Sequence, residues 1–214
     1  MRRISLVAAA LILSVSAPVF AQEWAEYVSR GDLFAVNFPK QPTITEITYE
    51  SEYGITVPGR VYSVEDGGSR YSVTVIDFTS VGPKHAEKLK ACRAGAGEGD
   101  QCMDRAYLEV RSAPFYAAWS LMERAAKVTH VVYTNVDLIE GQEVHFINPD
   151  GSRTLATILM HENRLYILNG TVPPRTPEPL LFQQTLRIID AEGKGIRYRS
   201  VYTNGFPAPP RSDR

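Results

Sequence analysis

The stretch from Gln142 to Val172, QEVHFINPDGSRTLATILMHENRLYILNGTV, limits the fold more than any other part of the chain. Three apolar-rich runs are separated by two short polar turns, Asn148-Pro149-Asp150-Gly151 and His161-Glu162-Asn163-Arg164. That pattern predicts an antiparallel β-meander. In the first turn Pro149 presets φ, Asp150 can bond its own backbone, and Gly151 can take positive φ. Val144, Phe146, Leu155, Ile158, Leu165, Ile167 and Leu168 give the meander apolar surface that other elements must cover.

The segments before the meander read as strands and then helices. Leu33 to Phe38 alternates, with Phe34, Val36 and Phe38 on one face, and Pro39 to Pro42 ends it. Thr43 to Tyr53 is β-branched, and Gly54 and Pro58 break the run. Gly59 to Glu65, the turn Asp66-Gly67-Gly68 and Arg70 to Thr79 form a hairpin. Helical signals follow. Gly82-Pro83 starts Lys84 to Arg93, Asp104 can cap Arg105 to Arg111, and Ser112 can cap a further helix with Pro114 in its first turn. Phe115, Ala118, Trp119, Met122 and Ala126 recur at helical spacing and read as a core-facing stripe. Lys127 to Ile139 returns to strand, and Glu140-Gly141 turns into the meander. Pro173 to Pro179 is a rigid connector, and Pro179 to Ile189 reads as a short closing helix.

The ends carry different signals. Arg2 and Arg3, the apolar run Ile4 to Val15 and the small-x-small site Val19-Phe20-Ala21 read as a signal peptide over residues 1–21, with Gln22 opening the mature chain. No later stretch is apolar enough to cross a membrane. Beyond about Gly193 the chain is rich in Gly, Pro and Arg and reads as a mobile tail, residues 193–214. A single domain over residues 22–192 remains. Without residues 1–21 the chain holds 21 basic against 24 acidic residues, a charge of −3. That balance offers no electrostatic footprint for nucleic acid and no polybasic patch for anionic lipid. Cys92 and Cys102 are the only cysteines. An even count in an exported chain points to a disulfide across the Gly- and Ala-rich segment between them.

Strands, helices, strands and a closing helix predict a segregated α+β fold, an antiparallel β-sheet covered by helices. The opening FAVNFPKQP after an aromatic-rich start, the central sheet, and the last helix with Leu181, Phe182 and Leu186 resemble the PsbP/Mog-type α/β/α sandwich. Small secreted bacterial proteins of that fold look similar. The resemblance implies largely non-catalytic work, in assembly or binding, and transfers no functional residue to this chain.

Chemistry-bearing residues are sparse. His85 falls in a charged helix, where a solvated side chain is expected, and His130, His145 and His161 lie on or beside strands without close ligand spacing. No G-x-S-x-G elbow occurs, and Gly97-Glu98-Gly99 lacks the rest of a dinucleotide loop. Asn169-Gly170-Thr171 matches a glycosylation sequon. Arg60, Arg70 and Arg153 beside Tyr62, Tyr71, Tyr133 and Tyr166 give the sheet an aromatic and basic surface. Tyr62, Tyr71 and Arg153 are the candidate ligand-binding residues. The expectation is a periplasmic or secreted binding or assembly module without catalytic residues, metal or cofactor, acting on a protein or envelope component. The alternative is a secreted hydrolase or metal-dependent enzyme.

Overall fold

The computed structural model describes residues 24–95 and 102–212. The signal peptide expected over residues 1–21 lies outside the described residues. Among the described residues ten strands and three helices run in the order β1 (Ala25–Ser29), β2 (Phe34–Phe38), β3 (Thr43–Glu50), β4 (Thr56–Asp66), β5 (Ser69–Asp77), α1 (Val81–Ala94), α2 (Ala106–Glu123), β6 (Lys127–Val136), β7 (Ile139–Ile147), β8 (Arg153–His161), β9 (Arg164–Val172), α3 (Leu180–Gln184) and β10 (Arg187–Ile188). The molecule is a sheet-rich α+β protein. Seven strands form one antiparallel sheet in the order β3-β4-β5-β9-β8-β7-β6, and three form a second in the order β1-β2-β10.

The meander forms as the alternation predicts. Gly151 takes φ 81° in the first turn, and Glu162 and Asn163 take φ 46° and 61° in the second. The Gly67-Gly68 turn joins β4 to β5 with φ 53° and 79°. β8 and β9 are buried on both faces, because a separate core lies against each side of the large sheet. On one side Val144, Ala156, Ile158, Met160 and Leu165 meet Ala113, Ala117 and Ala118 of α2, whose small side chains let the helix approach closely. On the other, Val73, Leu159, Tyr166 and Leu168 meet Phe34, Val36 and Phe38 of β2, Phe182 of α3 and Ile188 of β10. That second face is therefore covered mainly by the small sheet.

Several local expectations are corrected. Pro58 lies within β4, opposite Thr48. Pairing of β4 with β5 begins only at Gly59, so no ladder partner waits for the missing N–H at Pro58. Gly141 is not a turn residue. It sits within β7, where an added Cβ would meet the Ile158 carbonyl at 2.4 Å, and the turn falls instead at Asp137 and Leu138, with φ 51° and 67°. The expected closing helix from Pro179 to Ile189 stops at Gln184, because Arg187 and Ile188 pair with β2. The aromatic-rich start is itself a strand, β1, paired with β2.

Two further corrections are linked. Ser112 does not begin a new helix; α2 runs through Pro114 without a break. Proline has no N–H for the carbonyl four residues back, which is that of Val110. Asn204 Nδ2 donates to the Val110 carbonyl instead. Arg111 Nη1 donates to the Asn204 carbonyl at 2.6 Å, and its guanidinium lies 4.6 Å from the Phe206 ring centroid. Residues 193–212 of the stretch that reads as a tail are thus built into the fold, with Ile196, Tyr198, Tyr202 and Asn204 buried. Replacing Asn204 with Ala leaves a part-buried carbonyl without its donor, which costs about 1 kcal/mol. A urea titration should show the unfolding midpoint lowered accordingly. An unchanged midpoint would contradict this account of how α2 tolerates Pro114.

Candidate interaction surface

β6 closes one edge of the large sheet, and no described strand pairs with its outer side. It is ten residues long and mostly exposed, where interior strands of the same sheet are buried. It alternates apolar with uncharged polar side chains where an edge is usually defended by charge. Val131 is 52% exposed and Tyr133 57%, and Val128 and Val132 are exposed beside them. The only charged residue within the strand is Lys127, at its start. The opposite edge, β3, carries Glu46 and Glu50.

The pairing register sets which way these residues face. Val128 and Val131 lie opposite Phe146 and Val144, which belong to the α2-side core. Tyr133 lies opposite Gln142, whose own partner on β8 is Ile158 of that core. A β-bulge between Val128 and His130 keeps Val128 and Val131 on one face although three positions separate them. Thr129 Oγ1 donates to the His145 carbonyl at 3.0 Å there. On this same side α2 turns Phe115, 65% exposed, and Trp119, 49% exposed, outward, with Leu108 two turns earlier. The stripe expected to face the core is therefore split: Ala118 packs inward, while Phe115 and Trp119 face solvent. Helical spacing alone could not separate the two, because both faces of α2 carry apolar residues.

The residues singled out in sequence go elsewhere. Tyr62 is 3% exposed and lies in the core beneath the small sheet. Its hydroxyl donates to Asp32 Oδ2 at 2.5 Å and lies 3.1 Å from Ser29 Oγ. Burial, then the Asp32 contact, pushes that hydroxyl up to about 12. Tyr71 packs edge-on against Trp24 at 4.8 Å and Phe182 at 5.1 Å between ring centroids. Arg153 donates to the Thr176 carbonyl and lies 3.6 Å from Glu178, so it braces the connector before α3. Arg60 pairs with Asp32 at 2.8 Å. Cys92 and Cys102 are joined, with Cα atoms 5.7 Å apart. Asn169 of the sequon lies on β9, within the sheet between Ser72 and Ala156.

Two histidines are more buried than their sequence context implies. His85 is not solvated; its Nε2 lies 2.7 Å from Glu109 Oε2, with both side chains buried, and the pair ties α1 to α2. His161 is buried with Nε2 2.7 Å from the Tyr198 hydroxyl and with Nδ1 unpartnered. His130 and His145 lie side by side across β6 and β7, ring centroids 5.1 Å apart, and His145 Nε2 is 2.7 Å from Glu143 Oε1. Among the described residues no group of three or more His, Cys, Asp or Glu side chains is placed to hold a metal ion. The chain matches no protein-family model and no curated protein.

Burial pushes the His161 imidazole down to about 4, with Arg211 and Arg164 acting in the same direction against Glu162. An unfolded chain binds that proton near the ordinary value of 6.5. Between the two values the unfolded state holds more protons, so stability rises with pH. The contribution is full above the unfolded value and is lost as pH falls toward the folded one, a difference of roughly 3 kcal/mol. Urea unfolding across this window should show a steeper pH slope for the wild type than for His161→Gln. Equal slopes would contradict the assignment.

Proposed function

We propose that this protein is a non-catalytic binding or assembly module of the cell envelope. Its working surface is the outer edge of β6. One observation carries the reading: an edge strand of ten residues presents Val128, Val131, Val132 and Tyr133 to solvent with a charge only at its start. Unpaired backbone groups on such an edge favour addition of a further strand, and the alternating side chains set which strand fits. Phe115 and Trp119 expose further aromatic surface on α2, which packs on the side of the sheet that Val131 and Tyr133 face, and large aromatic side chains are enriched at binding interfaces.

Export and the envelope setting rest on the N-terminal sequence pattern and agree with the Cys92–Cys102 disulfide. A PsbP/Mog-like sandwich is the architecture that fits this use. The element order supports it, and the departure from it is the small sheet that covers one face of the large sheet.

A photocrosslinking amino acid placed at Tyr133 tests the proposal in the native compartment. The probe should yield a reproducible adduct, and the same probe at Ile44 on β3 should not. A Val131→Lys change should remove the adduct while shifting folding stability by only about 0.5 kcal/mol, the usual effect of an exposed substitution. Absence of any adduct at Tyr133, or equal labelling from Ile44, would refute the assignment of this edge.

A further inference from the structure

We infer that the strand added to β6 comes from a second copy of this chain, paired antiparallel about a two-fold axis at Val132. The inference rests on β6 being the binding edge and names its partner.

β6 is self-complementary when read in both directions from Val132. The residues next to it are Val131 and Tyr133, then His130 and Thr134, then Thr129 and Asn135, then Val128 and Val136. The first charges met are opposite, Lys127 on one side and Asp137 on the other. In the antiparallel register centred on Val132, Val131 of one copy lies opposite Tyr133 of the other, and His130 lies opposite Thr134. Paired residues then share a face, as an antiparallel ladder requires. Val131 and Tyr133 from both copies meet on the α2 side, and the two Val132 side chains meet on the other. Toward the strand ends, with the bulge at Thr129 displacing the outer pairs, Lys127 of each copy comes alongside Val136 and Asp137 of its partner. No like charges oppose one another along the strand. The two-fold axis closes the assembly, because each β6 edge is used once, so the result is a dimer with one continuous sheet and no growing fibre. The remaining edges of that sheet are the two β3 strands, which carry Glu46 and Glu50.

Sedimentation equilibrium of the protein should give a monomer–dimer system. Val132→Lys places two ammonium groups against each other at the axis and should raise the dimer dissociation constant by about tenfold or more. A Val132→Cys variant should form an intermolecular disulfide on mild oxidation, because directly opposed residues lie within disulfide reach, whereas Ile44→Cys should not. A protein that stays monomeric at every concentration, or a dimer indifferent to both Val132 changes, would overturn the inference. A monomer whose Tyr133 probe still captures a different protein would overturn self-pairing alone and leave the binding reading standing. A monomer that captures nothing would sink both.

Discussion

The carboxylate of Asp32 holds the two sheets together. It sits in the turn between β1 and β2 and is buried. Arg60 Nη1 donates to Oδ1 at 2.8 Å and the Tyr62 hydroxyl donates to Oδ2, both from β4. The Tyr166 hydroxyl of β9 donates to the Asp32 carbonyl at 3.0 Å. Three positions on two strands of the large sheet thus converge on one residue of the small sheet. A buried carboxylate is costly unless its hydrogen bonds are made, so this turn has one satisfactory seat. Around it Phe34 stacks edge-on against Tyr62 at 4.9 Å between ring centroids, and Tyr27 packs 5.6 Å from the same ring.

This closure decides what the sheet can present. With β1, β2 and β10 seated, one face of the central strands is interior, and Tyr62 becomes part of a core. The opposite face is occupied by α2, whose passage over the sheet depends on Asn204 reaching the carbonyl that Pro114 leaves open. Both broad faces are therefore committed near β8 and β9. Open backbone hydrogen-bonding capacity survives at the ends of the sheet, and of those ends β6 is the apolar one. The functional reading follows from that process of closure.

Local signals in the chain were legible and distant ones were not. The meander, the Gly67-Gly68 hairpin and the cysteine pair each depend on residues close in sequence, and each was readable from alternation, turn chemistry or spacing. The sequence around Pro114 does not show that α2 continues through it, because the compensating group, Asn204, lies far along the chain. Pro58 reads as a breaker in sequence, because its tolerance depends on where β5 begins to pair. The run after Pro179 has the apolar content of a helix, and its last residues became β10 because Phe34 and Ala35 offer strand partners. His85 looked solvated among lysines until α2 placed Glu109 against it. The β6 surface was half visible: its residues were assigned to a strand, but only the sheet order reveals that the strand is an edge. Tyr133 reads as sheet aromatic surface, and nothing in its sequence neighbours marks it as more exposed than Tyr62.

Hydrogen exchange across β6 tests the central claim most directly. The protein would be followed in dilute buffer and again at high concentration in an extract of its native compartment, with mass-spectrometric readout by segment. The account predicts that the outward-facing amides of Lys127 to Val136, those not donated to β7, exchange quickly in dilute buffer and become protected in the second condition, while those of Thr43 to Glu50 stay as they were. Unchanged exchange across β6, with new protection at β3 or nowhere, would contradict it.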